Sequence, residues 1–302
     1  MAPRAAQRKD PPLGLAGSDP YAPPLRERSI TDDVCYGLSA AVEGMATKEV
    51  RIVETRDESL TGAMMVVGFP THGLVGSVAA SYLVHTLDMS NVAYMTSEEF
   101  PPTVIMEEGV VSAPVRFYAS KLVCGPDRSC EQLVVAISDI QPPPGLLGEL
   151  GRTLLDWAES KGIQLIVAIE GQPIEEEVRG DARIVAMANR AAAPLLGKYR
   201  FDPANGVVTG FAGGLLLSAI GRQIPVLCLV AQAHKDYPDA RAAAKVIETI
   251  NPLVPLMLLD TKPLREKARQ IEAEVRKTLQ QQQQAAEASQ PTESVGPGEM
   301  YR

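Results

Sequence analysis

Three histidines and four cysteines are all that the 302 residues offer for metal or thiol chemistry. His72, His85 and His234 lie far apart with no H-E-x-x-H spacing. Cys35, Cys124, Cys130 and Cys228 form no C-x-x-C pair, so no metal site is expected, and no cofactor either. Cys228, inside the apolar run IPVLCLVA, reads as a small buried hydrophobe, whereas Cys124 and Cys130 flank GPDRS in a loop that admits a redox link, with free thiols the expected state. No run of eighteen apolar residues occurs, so no transmembrane helix is predicted and no membrane partner is expected. The N-terminal stretch is charged and proline-rich but has no apolar h-region, which points to a cytoplasmic chain rather than a secreted one. A basic excess is also missing. Net charge is −8, and the densest basic stretch, Lys262 to Lys277, is interleaved with Glu266, Glu272 and Glu274. That pattern is a solvated helix face, and nucleic acid is not expected as a partner.

What is present is alternation. MMVVGF (64–69), NVAYMTS (91–97), QLVVAIS (132–138), IQLIVAI (163–169) and PVLCLVA (225–231) are apolar runs of strand length, and RIVAMA (183–188) is a shorter one. Between them the spacing predicts helices over 73–87, 145–161, 214–223 and 238–250. The second of these carries Leu147, Leu150, Leu154 and Trp157 three or four residues apart. TVIME (103–107) and VRFYAS (115–120), parted by a turn with Gly and Pro, predict a hairpin or an antiparallel edge. Strands apolar on both faces and joined by helices predict a three-layer α/β/α sandwich with a mainly parallel sheet.

The chain divides by composition into a disordered extension (1–30), the sandwich (31–260, compact from about Val50), a helix (261–284) and a flexible tail (285–302). The helix sets Leu264, Ala268, Ile271, Val275 and Leu279 along one side. Such a stripe must be covered, either by its own domain or by the same helix of another subunit, and these five residues are the expected oligomer interface.

Three motifs bear on chemistry. GFPTHGLVGS (68–77) follows a strand and opens a helix, but Leu74 and Val75 stand where a phosphate loop needs Lys and Ser or Thr, and no G-x-G-x-x-G occurs. Its glycines read as packing glycines. Glu98, Glu99, Asp139 and Glu170 follow apolar strands, and the carboxyl ends of parallel strands line the crevice where ligands bind. Such carboxylates can serve acid–base work on a sugar or nucleoside. The plainer reading is that they cap helices and hold loops, because no nucleophile or phosphate clamp accompanies them, and no catalytic residue is assigned. Met300-Tyr301-Arg302, after a polar tail, is a compact handle for a pocket that offers a cation and a groove.

GFPTHGLVGSVAASYLVHTLDM, SEEFPPTVIMEEG, ISDIQPPPG and GFAGGLLLSAIGRQIPVLCLVAQAHKDYPDARAAAKVIETIN together resemble the prokaryotic, chiefly archaeal, relatives of the second proteasome assembly chaperone, over about residues 60–280. The resemblance implies a sandwich distantly similar to nucleoside phosphorylases, self-association to a homo-oligomer, and no established catalytic activity. Some members carry a C-terminal hydrophobic–Tyr–any-residue motif that docks between α-subunits of the proteasome core particle. On that pattern Tyr301 would fill the pocket, Met300 its apolar side, and the carboxylate of Arg302 would pair with a basic residue.

Overall fold

The computed structural model describes residues 49–266, apart from 108, 127–129, 175–180, 236 and 258. The N-terminal extension, Ala268, Ile271, Val275, Leu279 and the tail with Met300, Tyr301 and Arg302 lie outside the described residues.

In chain order the strands are β1 (Val50–Glu54), β2 (Met64–Gly68), β3 (Ser90–Ser97), β4 (Ile105–Glu107), β5 (Val110–Ser112), β6 (Val115–Ala119), β7 (Val123–Cys124), β8 (Cys130–Glu131), β9 (Leu133–Ser138), β10 (Leu165–Ile174), β11 (Ile184–Ala188) and β12 (Val226–His234). The helices are α1 (Val75–Thr86), α2 (Leu147–Ser160), α3 (Ala193–Lys198), α4 (Gly210–Ser218) and α5 (Ala240–Ile250). Eight strands form one sheet in the order β1-β3-β6-β9-β2-β10-β12-β11. The central four, β9, β2, β10 and β12, run parallel. β6, β3 and β1 extend it antiparallel on one side and β11 on the other.

Strand parity divides the apolar side chains between two cores. Met65 and Val67 of β2 meet Leu150, Leu154 and Leu155 of α2 and Phe211 and Leu215 of α4. Met64 and Val66 meet Ala79, Ala80 and Leu83 of α1 and Val246, Ile247 and Ile250 of α5. Both faces of the central strands are thus covered, which is why those runs read as continuously apolar. α5 starts where the Asp239 carboxylate accepts the Ala242 N–H at 2.9 Å, a cap of about 1 kcal/mol.

Some expectations need correction. TVIME does not pair with VRFYAS: β4 turns at Gly109, with φ +81°, and pairs with β5, while β6 joins the main sheet. A two-residue turn closes sooner than a seven-residue one, and a left-handed Gly suits it. α4 starts at Gly210 and ends at Ser218, earlier than its apolar pattern suggested. Cys124 is disulfide-bonded, not free, and the β7–β8 ladder sets position 124 opposite 130. Cys228 is fully buried, as its run implied. Leu264 sits on a helical turn (262–266) and is only 5% exposed, packed in the core shared by α1 and α5. Its own subunit covers it, which removes it from the expected intersubunit stripe.

Candidate functional site

The loops leaving β2 and β9 set the site. After β2 the chain passes to α1 on one face, and after β9 it passes to α2 on the other. Divergent exits at the carboxyl edge of adjacent parallel strands open a crevice, the general position of ligand sites in such sheets.

Local sequence builds its walls. Gly68 lets the start of α1 lie directly on β2, because a Cβ there would come within 2.1 Å of the Gly76 carbonyl oxygen. Gly171 does the same for the 71–72 loop, where a Cβ would meet the His72 carbonyl oxygen at 1.9 Å. GFPTHGLVGS therefore acts through close packing, with no side-chain cap at the start of α1. Leu74 stands at that position with φ 47°, a left-handed conformation costing a non-glycine residue about 1–2 kcal/mol, and borders clefts on both sides of the sheet.

The first cleft has a volume of about 660 Å³. It lies among the loop after β2, the loop after β9, the end of β10, the inner side of β11 and the segment leading into α4. Phe69, Leu147, Met187 and Phe211 supply apolar walls, with the Phe69 and Phe211 rings stacked at 3.9 Å between centroids. Gln141, Gln172, Asn205 and Thr209 add polar groups. Glu170 stands among them, mostly buried. The Gly171 N–H donates to Thr71 Oγ1 at 3.0 Å, and the Thr71 hydroxyl in turn donates to the Glu170 carboxylate. Burial pushes the Glu170 carboxyl up to about 7, against the opposite pull of that hydrogen bond. Among the described residues no cationic side chain lies within 4.0 Å of Glu170.

The second cleft, of about 920 Å³, lies on the opposite face between α1 and the β6–β9 edge. Asp88 and Asp139 are among its lining residues, and Asp139 pairs with Arg116 at 2.7 Å. Arg116 is almost wholly buried, and it also donates to the Tyr118 hydroxyl and the Ala113 carbonyl, each at 2.8 Å.

The four expected carboxylates share an edge of the sheet but not a cleft. Asp139 follows Ile137 by two residues and falls on its face, whereas Glu170 follows Ala168 on the other. Glu98 and Glu99 sit exposed in the turn after β3, four strand positions from β10, or about 19 Å. No acid–base pair is assembled, which overturns the shared carboxylate cleft. Thr71 and Arg116 went unread in the sequence. A charge between Val115 and Phe117 in an otherwise apolar strand was the available signal for Arg116. Among the described residues no three His, Cys, Asp or Glu side chains gather as a metal site, and no helix is long and apolar enough to cross a membrane.

Comparison with known proteins bears on this architecture. The sequence profile of the PAC2 family matches residues 65–279. The structure of Pyrococcus furiosus PbaA, described as an archaeal homolog of proteasome-assembly chaperone, superposes with a TM-score of 0.66 at 27% identity, covering 80% of this chain and 96% of that one. PbaB of the same organism, described as an archaeal proteasome activator, gives a TM-score of 0.66 at 25% identity over 77% of this chain and 99% of its own. An uncharacterised protein of Methanocaldococcus jannaschii is 24% identical over 203 residues, 67% of this chain and 79% of its own length.

Proposed function

Because the chain belongs to the PAC2 family, whose profile spans residues 65–279, we propose that it acts in the cytoplasm as a proteasome assembly chaperone or activator. The observation that carries this reading is the agreement of one body with both PbaA and PbaB, at 25–27% identity over at least 77% of this chain. The contact with the core particle is assigned to Met300, Tyr301 and Arg302, which dock between α-subunits. Tyr301 enters the pocket and the Arg302 carboxylate meets a basic residue there. Ala268, Ile271, Val275 and Leu279 join subunits into a homo-oligomer. Eighteen residues from 285 to 302 give a coil reach of roughly 20–25 Å, so a tail finds its pocket without the body touching the ring. Several weak tails on one oligomer gain about 10²–10⁴ in avidity when their spacing matches that ring.

The test compares the full chain with one ending at Glu299, for binding to a core particle from the same cells. The full chain is expected to bind and the truncated one to lose about tenfold or more. Equal binding by both would move the interface to the body and remove the role of Tyr301. Binding by neither would overturn the proteasome reading itself. Peptide hydrolysis by the closed core particle then separates activator from assembly chaperone, since only an activator raises it.

A further inference from the structure

The Glu170 cleft takes no part in the tail-docking reading, and it has the attributes of a binding site in its own right. Its volume of about 660 Å³ lies within the 300–1,000 Å³ range of small-molecule sites. It opens at the divergence of the β2 and β9 exits and is walled by Phe69, Leu147, Met187 and Phe211. Two glycine close approaches fix its backbone, so the shape is held by packing rather than by side-chain choice. Within it one carboxylate is mostly buried, oriented by Thr71, and without a cationic partner among the described residues.

Charge decides the ligand class. Among the described lining residues there is no Lys or Arg, and the titratable ones are Glu170 and His72. Among the described residues a phosphate or carboxylate ligand would meet no fixed cation and one mostly buried acid, which disfavours nucleotides and organic acids on electrostatic grounds. A metal ion would find a single carboxylate, too few donors for a dedicated site. A ligand that brings its own positive charge instead supplies the pairing that Glu170 lacks among the described residues, and an apolar stem on it fills the walls.

We propose that this cleft binds a small molecule carrying one protonated amine on an apolar, flat body, with the ammonium on Glu170 and the body against Phe211, Leu147 and Met187. This goes beyond the proteasome reading and does not depend on it. A single carboxylate matches a monocation better than a polyamine, whose remaining charges would sit against apolar walls.

The probe is 2-phenylethylamine, set against its neutral isostere 2-phenylethanol, titrated calorimetrically into the full chain at pH 8.0 and pH 5.5. The amine is expected to bind at pH 8.0 at least about tenfold more tightly than the alcohol. Glu170 takes up a proton between these pH values, so amine affinity should fall about 30-fold at pH 5.5. Glu170→Gln should erase the preference for the amine while unfolding at least as high in temperature as the parent. Val207, 91% exposed at the cleft mouth, offers a second variant that does not touch the core. Val207→Lys should weaken the amine and leave the alcohol unchanged. His72→Gln should keep the pH profile, and if it abolishes that profile the charge on Glu170 is not what the ligand reads. Equal binding of amine and alcohol, no heat with either, or undiminished preference in folded Glu170→Gln would each overturn the proposal. None of these outcomes bears on the Glu299 truncation, so the two readings fail separately.

Discussion

Asp139 and Glu170 stand two strands apart at the same edge of one sheet, and the fold treats them in opposite ways. Asp139 pairs at 2.7 Å with a buried guanidinium, and that guanidinium also donates to the Tyr118 hydroxyl and the Ala113 carbonyl. Glu170 accepts from the Thr71 hydroxyl, has no cationic partner among the described residues, and is half protonated near pH 7. The first arrangement is self-contained: every strong group has its counterpart within the chain. The second is complete only when a proton or a ligand arrives. A closed ion pair stabilises architecture, and an open acid in a cleft reserves binding free energy for something else.

The largest effect should come from opening the closed pair. Asp139→Asn removes the Asp139 carboxylate from the Arg116 guanidinium, which is 5% exposed, and a loss of about 3 kcal/mol in urea unfolding is expected. A loss below about 1 kcal/mol would mean that the other partners of Arg116 suffice, and that the two clefts differ less than their geometry implies.

Closing the open acid should act in the other direction. The Glu170 carboxyl moves from 4.5 to about 7 on folding, so the folded state holds the extra proton between those values. Stability therefore falls as pH rises from 4.5 to 7 and stays reduced above, by up to about 3 kcal/mol. Glu170→Gln removes that penalty. It is expected to stabilise the chain by about 2 kcal/mol at pH 8, once the openness of the cleft is allowed for, and by almost nothing at pH 4.5. Urea unfolding at the two pH values reads both numbers. A destabilised variant at pH 8 would show that the carboxylate is a structural partner rather than an open site.

The central strands and four of the helices were legible because their signals are local. Continuous apolar runs and three-to-four spacing do not depend on what lies across the sheet. The carboxylate cleft was not legible for the same reason. Glu98, Glu99, Asp139 and Glu170 all end strands at the correct edge, but which face each one takes depends on strand parity against the neighbours. One residue of phase puts Asp139 with Ile137 on the α1 side and Glu170 with Ala168 on the α2 side. The distance from Glu98 depends on sheet order, and β3 lies outside the parallel centre through two antiparallel steps. Leu264 failed in a similar way. It lies on the helical turn 262–266, and spacing alone does not say whether the chain's own core takes such a residue.

The smallest effect tests a third carboxylate arrangement, at the helical turn 262–266. Arg265 donates from Nε to one Glu248 oxygen and from Nη2 to the other, both at 2.7 Å, and from Nη1 to Asp181 at 2.9 Å. Its hydrogen bonds hold both carboxyls below the usual carboxylate range. That sign is opposite to Glu170: the stabilisation is present above the unfolded carboxylate values near 4, and it is lost as pH falls through the lowered folded values. All three side chains are partly exposed, Asp181 by 53%, so Arg265→Met should cost only about 1 kcal/mol at pH 7. The same variant should flatten the acid arm of the stability profile below pH 4 and leave the slope between pH 4.5 and 7 untouched. Glu170→Gln should do the reverse. If Arg265→Met changed both arms, the 262–266 turn and the cleft would be coupled through the sheet, and the separation between closed and open carboxylates would hold for Asp139 alone.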